Sequence, residues 1–320
     1  MRNNVKLLAI VFLLSGLGGS ATAASSIENT SANGAASINS AYSSVSLNAA
    51  SLRDQNAAAQ KDFLKQVEAV KATQNYTATP AYLRGTETLS GEALFQKLHD
   101  ATNTTRISSY NSAKSYMYST ADHVSMHGTS GVVDAYSQVF LPGTGGNGGN
   151  YGEKGDQNED GVVDKGVNAE HSWPQSFFNE ALPMKADLHH LQTTLITPNG
   201  RRGSLPYAMV TNATYTTSGG SKLGKEGFEP CDANKGNTAR AMLYFMVRYY
   251  DKNIRQGGFT ADKFWKSRVE MFMKWNRQDP PDDAERTRND LVEQYQGNRN
   301  PFIDNPELVD QIGAATFKAH

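Results

Sequence analysis

The stretch "NAEHSWPQSFFNEALPMKADLHHLQTTLITPNGRR", residues 168–202, gathers side chains that bind metals, move protons or hold phosphates. It contains three of the seven histidines of this 320-residue chain, several carboxylates and a terminal pair of arginines. Trp173 and Pro174 favour extended backbone early in the stretch, since proline disfavours helix in the residue before it. Asn199-Gly200 marks a turn into a new element. The pattern predicts short extended pieces joined by turns.

The composition is that of a globular protein able to bury a substantial core. Hydrophobic residues make up 38% of the chain and charged residues 20%, with a formal net charge of −1. This balance permits a nucleic-acid partner only through a local basic patch. The single cysteine, Cys231, excludes an intrachain disulfide, and we expect it to be buried filler.

The N-terminal residues predict export from the cytoplasm. Arg2 and Lys6 precede an apolar run over residues 7–14, and the small residues Ala21-Thr22-Ala23 follow it. This pattern is typical of a secretory signal peptide, residues 1–23, cleaved after Ala23. The run is too short to span a bilayer. We therefore expect a secreted or periplasmic protein with no membrane association.

The remaining chain divides into a linker and one domain. Residues 24–80 are rich in small and polar residues and predict a low-complexity pro-region or linker, with an amphipathic helix near 52–72. Residues 81–320 predict a helix-rich α+β domain. Its elements are predicted as a helix capped by Ser90, a strand over 132–140, helices over 234–252 and 261–278, and a helix, turn and short helix over 283–313.

Glu170 and His171 are the first candidates for chemistry. Adjacent side chains on a strand point to opposite faces, so the two share a site only at an edge or bend. In "DLHHLQT", a strand would place Asp187 beside His189, where a carboxylate orients an imidazole or both meet a metal, with His190 on the other face. The alternative is a pair of structural histidines hydrogen-bonded within a small sheet.

Asn199 and the following arginines are the third group. The Asn199 amide offers a neutral oxygen to a hard cation such as Mg²⁺, and Arg201 or Arg202 is suited to clamp a phosphate. The chain has no His-Glu-x-x-His zinc motif and no Gly-x-Ser-x-Gly elbow. Together, a base, a sparse oxygen cage and an arginine favour hydrolysis of a phosphodiester.

Five motifs in order carry a resemblance to a known family. They are "NAEHSWPQSFF", "MKADLHHLQTT", "PNGRRGSLPYA", "FEPCDANKGNTARAMLYFMVRYY" and "QGNRNPFIDNPELV". The chain resembles the bacterial secreted endonuclease I nucleases over roughly residues 89–309. That resemblance implies a domain built around a ββα-metal (His-metal) finger. It also implies a divalent-metal-dependent, largely sequence-non-specific endonuclease acting on DNA, with RNA left open as a substrate.

The resemblance also implies roles for individual residues. His171 is the general base, Glu170 and Asn199 bind the metal, and Arg202 contacts the phosphate in the transition state. The metal is expected to be Mg²⁺, with Mn²⁺ or Ca²⁺ as alternatives. Supporting positions are implied for Asp187, His189, Glu229 and Arg240. Some relatives carry a further arginine in the loop after the histidine motif, whereas "NEALPMKA" here has none.

Basic residues near the C-terminus are candidates for substrate binding. We expect Lys266, Lys274 and Arg299 to contact the phosphate backbone without reading bases, in a monomer that needs no protein partner. The alternative is a solvated helix face.

A second metal loop is predicted just before the histidine segment. In "DQNEDGVVD", Asp156, Asn158, Asp160 and Asp164 occupy positions one, three, five and nine of an EF-hand loop, while the twelfth position is Val167 instead of glutamate. The loop is either a structural Ca²⁺ site or an acidic surface turn. A calcium-stabilised extracellular binding or adhesion module without catalysis is therefore the alternative function.

Overall fold

The computed structural model describes residues 80–103, 106–107, 109–126, 128–143 and 167–320. The segments predicted as a signal peptide, as a linker with a helix near 52–72, and as a calcium loop at 156–164 lie outside the described residues. The boundaries predicted for those segments stay predictions.

The described part is an α+β fold, as predicted from the sequence. Its helices are α1 (Gly91–Thr102), α2 (Tyr110–Tyr116), α3 (Ile196–Arg202), α4 (Asp232–Tyr249), α5 (Ala261–Phe264), α6 (Val269–Gln278), α7 (Asp283–Gln296), α8 (Pro301–Asp304) and α9 (Leu308–Ala319). A π-helical turn continues α2 over Met117–Ala121, and short 3₁₀ turns lie at Ala81–Leu83, Gln175–Phe178, Met184–Ala186 and Lys266–Arg268. None of the described helices is both long and apolar enough to cross a membrane.

The strands form small antiparallel sheets. They are β1 (His123–Met126), β2 (Thr129–Val133), β3 (Phe140–Pro142), β4 (Val167–His171), β5 (Leu191–Leu195), β6 (Tyr215–Thr216), β7 (Lys222–Gly224) and β8 (Gly227–Glu229). They pair in the orders β1-β2-β3, β4-β5 and β6-β7-β8. The two-stranded β4-β5 sheet is followed directly by α3, which contacts both of its strands.

The strand predicted over 132–140 is wrong, because a turn separates β2 from β3. The carboxylate of Asp134 accepts hydrogen bonds from the backbone amides of Tyr136 and Ser137, at 3.3 and 2.6 Å. Its Oδ1 also accepts from the amide of Leu195 at 2.9 Å. An aspartate that binds amides just ahead of it favours a turn over a strand.

The strand predicted through Asp187 and His190 is also wrong, because β5 begins only at Leu191. Asp187 Oδ1 accepts from the His189 backbone amide at 3.0 Å, which closes a local turn. Arg288 of α7 then donates to the carbonyl oxygens of Leu188 and Leu191, both at 2.9 Å. Because Arg288 binds these two carbonyl oxygens, they do not form the hydrogen bonds that a longer strand would have made with its neighbour.

Most predicted helices are confirmed, with different boundaries. Ser90 is the N-cap of α1, although its side chain makes no capping hydrogen bond. The predicted helix over 261–278 is interrupted at Trp265, where α5 ends before a 3₁₀ turn and α6. Trp265 is buried and its indole Nε1 donates to the Phe317 carbonyl at 2.8 Å, so tertiary packing fixes the break.

The core surrounds α4, which is buried along nearly its whole length. A second, smaller apolar cluster lies beneath the β4-β5 sheet and includes Val167, Ala169 and Leu191. Cys231 is buried and unpaired, consistent with its predicted place as filler. The central helix and this second cluster fix the position of the segment from β4 to α3.

Candidate active site

The β4-β5 hairpin and α3 bring together the ends of the histidine segment. β4 pairs antiparallel with β5 so that Glu170 lies opposite Gln192 and His171 opposite Leu191. His171 is the last residue of β4. The chain is anchored two residues later by Trp173, which is fully buried and donates from its indole to the Ile254 carbonyl at 2.9 Å.

Glu170 is a buried carboxylate held by Arg202 from α3. Glu170 Oε1 accepts from Arg202 Nη1 at 2.6 Å, and both side chains are 1% exposed. Arg202 also donates to the carbonyl oxygens of His171 and Ser172, each at 2.8 Å. Its guanidinium therefore fixes both the metal-ligand candidate and the backbone around the base candidate.

Two tyrosines extend this network away from Glu170. The Tyr207 hydroxyl donates to Glu170 Oε1 at 3.3 Å, its ring lies 4.4 Å from the Arg202 guanidinium carbon, and Tyr136 shares a 2.8 Å hydrogen bond with the Tyr207 hydroxyl. Tyr207 is placed by a bridge to Phe228 of β8. Burial raises the pKa of the Glu170 carboxyl, against the opposing effect of Arg202.

His171 has its tautomer set by a backbone carbonyl. Its Nε2 lies 3.0 Å from the Lys185 carbonyl oxygen, in the loop that joins β4 to β5. A carbonyl only accepts hydrogen bonds, so Nε2 carries the proton and Nδ1 of the neutral ring keeps its lone pair. Burial, followed by the neighbouring His190 ring, lowers the pKa of His171 to about 3. The ring is thus neutral at physiological pH.

Asn199 lies on the same helix as Arg202. It lies half-buried on α3, three residues before Arg202, so the two side chains are neighbours on one helix face. Among the described residues, no three His, Cys, Asp or Glu side chains are grouped to hold a metal ion. A carboxylate and an amide oxygen suit Mg²⁺, which keeps several waters, and do not suit zinc, which requires more protein ligands.

The sequence of the chain is similar to those of known proteins. The endonuclease I profile matches residues 90–307, more than half of the chain. The chain belongs to the endonuclease I family. An extracellular ribonuclease of Bacillus amyloliquefaciens is 35% identical over 156 residues, 45% of this chain and 53% of the relative.

Two other relatives match over similar parts. An extracellular ribonuclease of Bacillus subtilis (strain 168) is 36% identical over 156 residues, with the same shares of 45% and 53%. Endonuclease-1 of Buchnera aphidicola subsp. Baizongia pistaciae is 27% identical over 125 residues, 38% of this chain and 46% of the relative. The chain spans about half the length of the curated relatives it matches.

In this endonuclease I family member, Asp187 is the centre of a buried polar cluster. It pairs with Arg248 at 2.7 Å and accepts from Tyr244 and Tyr249 at 2.9 Å each. Burial alone would raise its pKa, yet Arg248 holds the pKa of Asp187 well below its usual range. Asp187 therefore joins the β4-β5 loop to α4.

The neighbouring histidines are bound to backbone carbonyls. His189 Nε2 lies 2.9 Å from the Asn298 oxygen, and His190 Nε2 lies 2.6 Å from the Met184 oxygen. In both rings Nδ1 is buried without a hydrogen-bond partner among the described residues. Burial lowers the pKa of each to about 4. Backbone carbonyls of the β4-β5 loop and of the segment after α7 therefore hold these two rings, and neither histidine lies in a strand.

Glu229 and Arg240 also make buried structural contacts. Glu229 Oε1 pairs with Lys235 at 2.7 Å, and its Oε2 accepts from the Val210 amide at 2.8 Å. Arg240 binds Glu285 through Nε at 2.8 Å and through Nη2 at 2.5 Å. These two residues tie α4 to the β8 segment and to α7.

The residues predicted to bind nucleic acid lie in different environments. Arg299 is 14% exposed and pairs with Asp290, Glu293 and Asp304, each at 2.7 Å. Three carboxylates neutralise its charge, which disfavours the predicted phosphate contact. Lys274 is exposed on α6 and Lys266 is half-buried in the preceding 3₁₀ turn. Phosphate contacts by these lysines stay a prediction.

Several residues of the site were missed by the sequence reasoning. Tyr207 lies in the quoted motif "PNGRRGSLPYA", and Lys185 in "MKADLHHLQTT", so their position within shared motifs was an available signal. Tyr136 lies more than 30 residues before His171 and joins the network through the Tyr207 hydroxyl. No local pattern in the sequence identifies it.

Proposed function

We propose that this chain is a secreted, divalent-metal-dependent endonuclease that hydrolyses phosphodiester bonds with His171 as general base. Membership of the endonuclease I family and the names of the relatives support the class of reaction. The bond between His171 Nε2 and the Lys185 carbonyl is the observation that carries the assignment of the base.

The proposed role of His171 follows from its tautomer. The neutral ring accepts a proton from water at Nδ1 while Nε2–H stays bound to the carbonyl. The water oxygen forms a bond to phosphorus, the bond from phosphorus to the 3′ oxygen breaks, and the departing oxygen takes a proton from solvent. A fixed ring orientation lowers the cost of positioning the base for this step.

Glu170 and Asn199 are the proposed ligands of the divalent metal. When bound there, Mg²⁺ would neutralise negative charge on the phosphate and on the leaving oxygen. Arg202 is proposed as a positioning residue for Glu170, because its guanidinium is 1% exposed and bonded to protein acceptors. This assignment replaces the phosphate contact expected for Arg202 from the sequence.

The substrate is proposed to be DNA and RNA alike. The nucleophile in this mechanism is water, so no step uses the 2′-hydroxyl that distinguishes RNA. Two relatives are named ribonucleases and a third an endonuclease, which is consistent with a reaction indifferent to the sugar. The two ribonucleases are described as extracellular, which supports the proposed secretion.

The nucleophile is tested with one sequence prepared as DNA, RNA and 2′-O-methyl RNA. With Mg²⁺, we expect cleavage of all three strands and inhibition by a chelator. A 2′,3′-cyclic phosphate product, or an intact 2′-O-methyl strand beside a cleaved RNA, would exclude water as the nucleophile. Loss of all cleavage across divalent metals would exclude the nuclease function.

The metal site is tested by titrating Mn²⁺ into the protein and following its electron paramagnetic resonance signal. Asn199→Ala is expected to weaken binding by about tenfold or more, whereas Asn199→Asp keeps an oxygen ligand and retains binding. Equal affinity in Asn199→Ala and the unaltered protein would remove Asn199 from the metal site.

A further inference from the structure

An aromatic ring with two lysines lies beside His171. Tyr110, the first residue of α2, has its ring centroid 5.6 Å from that of His171. Lys114 Nζ lies 4.6 Å from the Tyr110 ring centroid, and Lys185 Nζ lies 5.1 Å from it. All three side chains are half-buried. The Tyr110 ring therefore contacts both lysine ammonium groups and lies next to the ring of the proposed base.

Lys185 is tied to His171 by its backbone as well. Its carbonyl oxygen is the acceptor of the His171 Nε2 proton, so its position relative to the ring is fixed. Helix α2 packs against the 3₁₀ turn Met184–Ala186 that contains Lys185, which brings Lys114 to the same place. The Lys185 ammonium pairs with Glu180 at 2.5 Å, and Glu180 is 55% exposed.

We propose that Tyr110 positions Lys114 and Lys185 as a clamp for the phosphates that adjoin the scissile bond. The inference rests on the proposed nuclease function and names the surface that holds the substrate strand. An exposed ion pair such as Lys185–Glu180 contributes little, so an incoming phosphate can replace the carboxylate at small cost. Cation–π contact holds both ammonium groups near one point, and a polyanionic strand is the partner that such a pair attracts.

This placement also explains how a chain without an arginine in "NEALPMKA" presents positive charge there. Arg202 and Arg299 each pair with a largely buried carboxylate, whereas the Glu180 carboxylate that pairs with Lys185 is 55% exposed. Lys114 and Lys185 bring two cations to the His171 side of the β4-β5 hairpin, one from α2 and one from the loop. The clamp is assembled from segments about 70 residues apart, which the sequence alone does not connect.

The test measures binding of a fluorescein-labelled single-stranded DNA by anisotropy, with the full chain and with a chelator present to prevent metal-dependent cleavage. Lys114→Gln and Lys185→Gln are each expected to weaken binding by about tenfold. Each should also reduce the slope of log affinity against log salt by about 0.7, the value for one phosphate contact on a single strand. Lys97→Gln, an exposed lysine on α1, is the matched control and should bind like the parent.

Tyr110 is tested as a positioning residue by two substitutions. Tyr110→Phe keeps the ring and should retain the parent affinity, whereas Tyr110→Leu removes it and should weaken binding by about threefold. Unchanged affinity and salt slope in both lysine variants would overturn the clamp, even if the unaltered protein cleaves DNA. If the lysine variants lose affinity and salt slope as expected but the unaltered protein cleaves no nucleic acid, the proposed catalysis would be overturned and the clamp would stand.

Discussion

Arg202 illustrates how burial decides the role of a single residue. An arginine three residues after a proposed metal ligand suggests a phosphate contact from sequence, yet its side chain is 1% exposed and donates to Glu170, to His171 and to Ser172. Breaking a buried network of this kind is costly because the partners lose their hydrogen bonds. The role of Arg202 therefore depends on where α3 packs.

Arg202→Lys tests the positioning role. Lysine keeps one positive charge but cannot reproduce the forked contacts, so we expect the free energy of unfolding to fall by about 2 kcal/mol in urea titrations. KM for DNA should change little. Arg201→Lys, at the exposed neighbour, is the control and should change stability by less than about 0.5 kcal/mol. Full stability of Arg202→Lys with a raised KM would indicate a phosphate contact instead.

The candidate site could be predicted only in part at this scale. Glu170, His171, Asn199 and Arg202 lie within 33 residues, and the motif points to all of them. The hydrogen bonds that fix the charge and orientation of these side chains cannot be read from the motif. The loop carbonyl of Lys185 sets the His171 tautomer, and Tyr207 reaches Glu170 only because a strand bridge places it there.

Among the elements, α3 and α4 each contain a glycine, in opposite circumstances. A Cβ at Gly200 of α3 would meet nothing within 4 Å, whereas a Cβ at Gly236 of α4 would lie 1.9 Å from the Asp279 carbonyl oxygen. Gly200 adds conformational freedom to the unfolded chain, although the folded structure has room for a side chain at this position. The second allows α4 to approach the segment after α6.

Gly200→Ala and Gly236→Ala form a matched pair of helix substitutions. Gly200→Ala should raise the free energy of unfolding by about 0.5 to 1 kcal/mol through reduced entropy of the unfolded chain. Gly236→Ala should lower it by about 1 to 3 kcal/mol through steric overlap. Thermal and urea unfolding check both. Equal effects of the two substitutions would contradict the packing described for α4.

The elements were predictable where local and tertiary preferences agree. The apolar helix α4 followed from its sequence, and its burial in the core is consistent with that. The predictions of strands over 132–140 and 187–190 were wrong because Asp134 and Asp187 bind nearby backbone amides and form turns. An aspartate in an alternating pattern is compatible with either outcome, and long-range contacts such as those of Arg288 decide between them.

At the scale of the whole molecule, buried neutral histidines make stability depend on pH. His189 and His190 have pKa values lowered by burial to about 4, against about 6.5 in an unfolded chain. Between those values the unfolded chain takes up protons that the folded chain excludes, so stability falls as pH falls. Asp187, whose pKa lies well below its usual range, stays ionised in the folded chain, and it adds to the loss of stability only below about pH 5, where the unfolded chain begins to take up its proton.

The expected loss is on the order of 3 kcal/mol for each histidine between pH 6.5 and 4. Urea unfolding at pH 7.5, 5.5 and 4.5 measures it. His189→Gln keeps a donor for the Asn298 carbonyl but does not titrate, and it should give a shallower dependence on pH. A flat profile in the unaltered protein would contradict the neutral burial of these rings.

The central claim is that His171 is the general base, and single-turnover cleavage of DNA with Mg²⁺ tests it most directly. His171→Ala should lower the rate by about 10² to 10⁴-fold while circular dichroism and Mn²⁺ affinity stay unchanged. Added imidazole should restore part of the rate, and His320→Ala should cleave like the unaltered protein. A His171→Ala rate within about threefold of the unaltered protein would contradict the account.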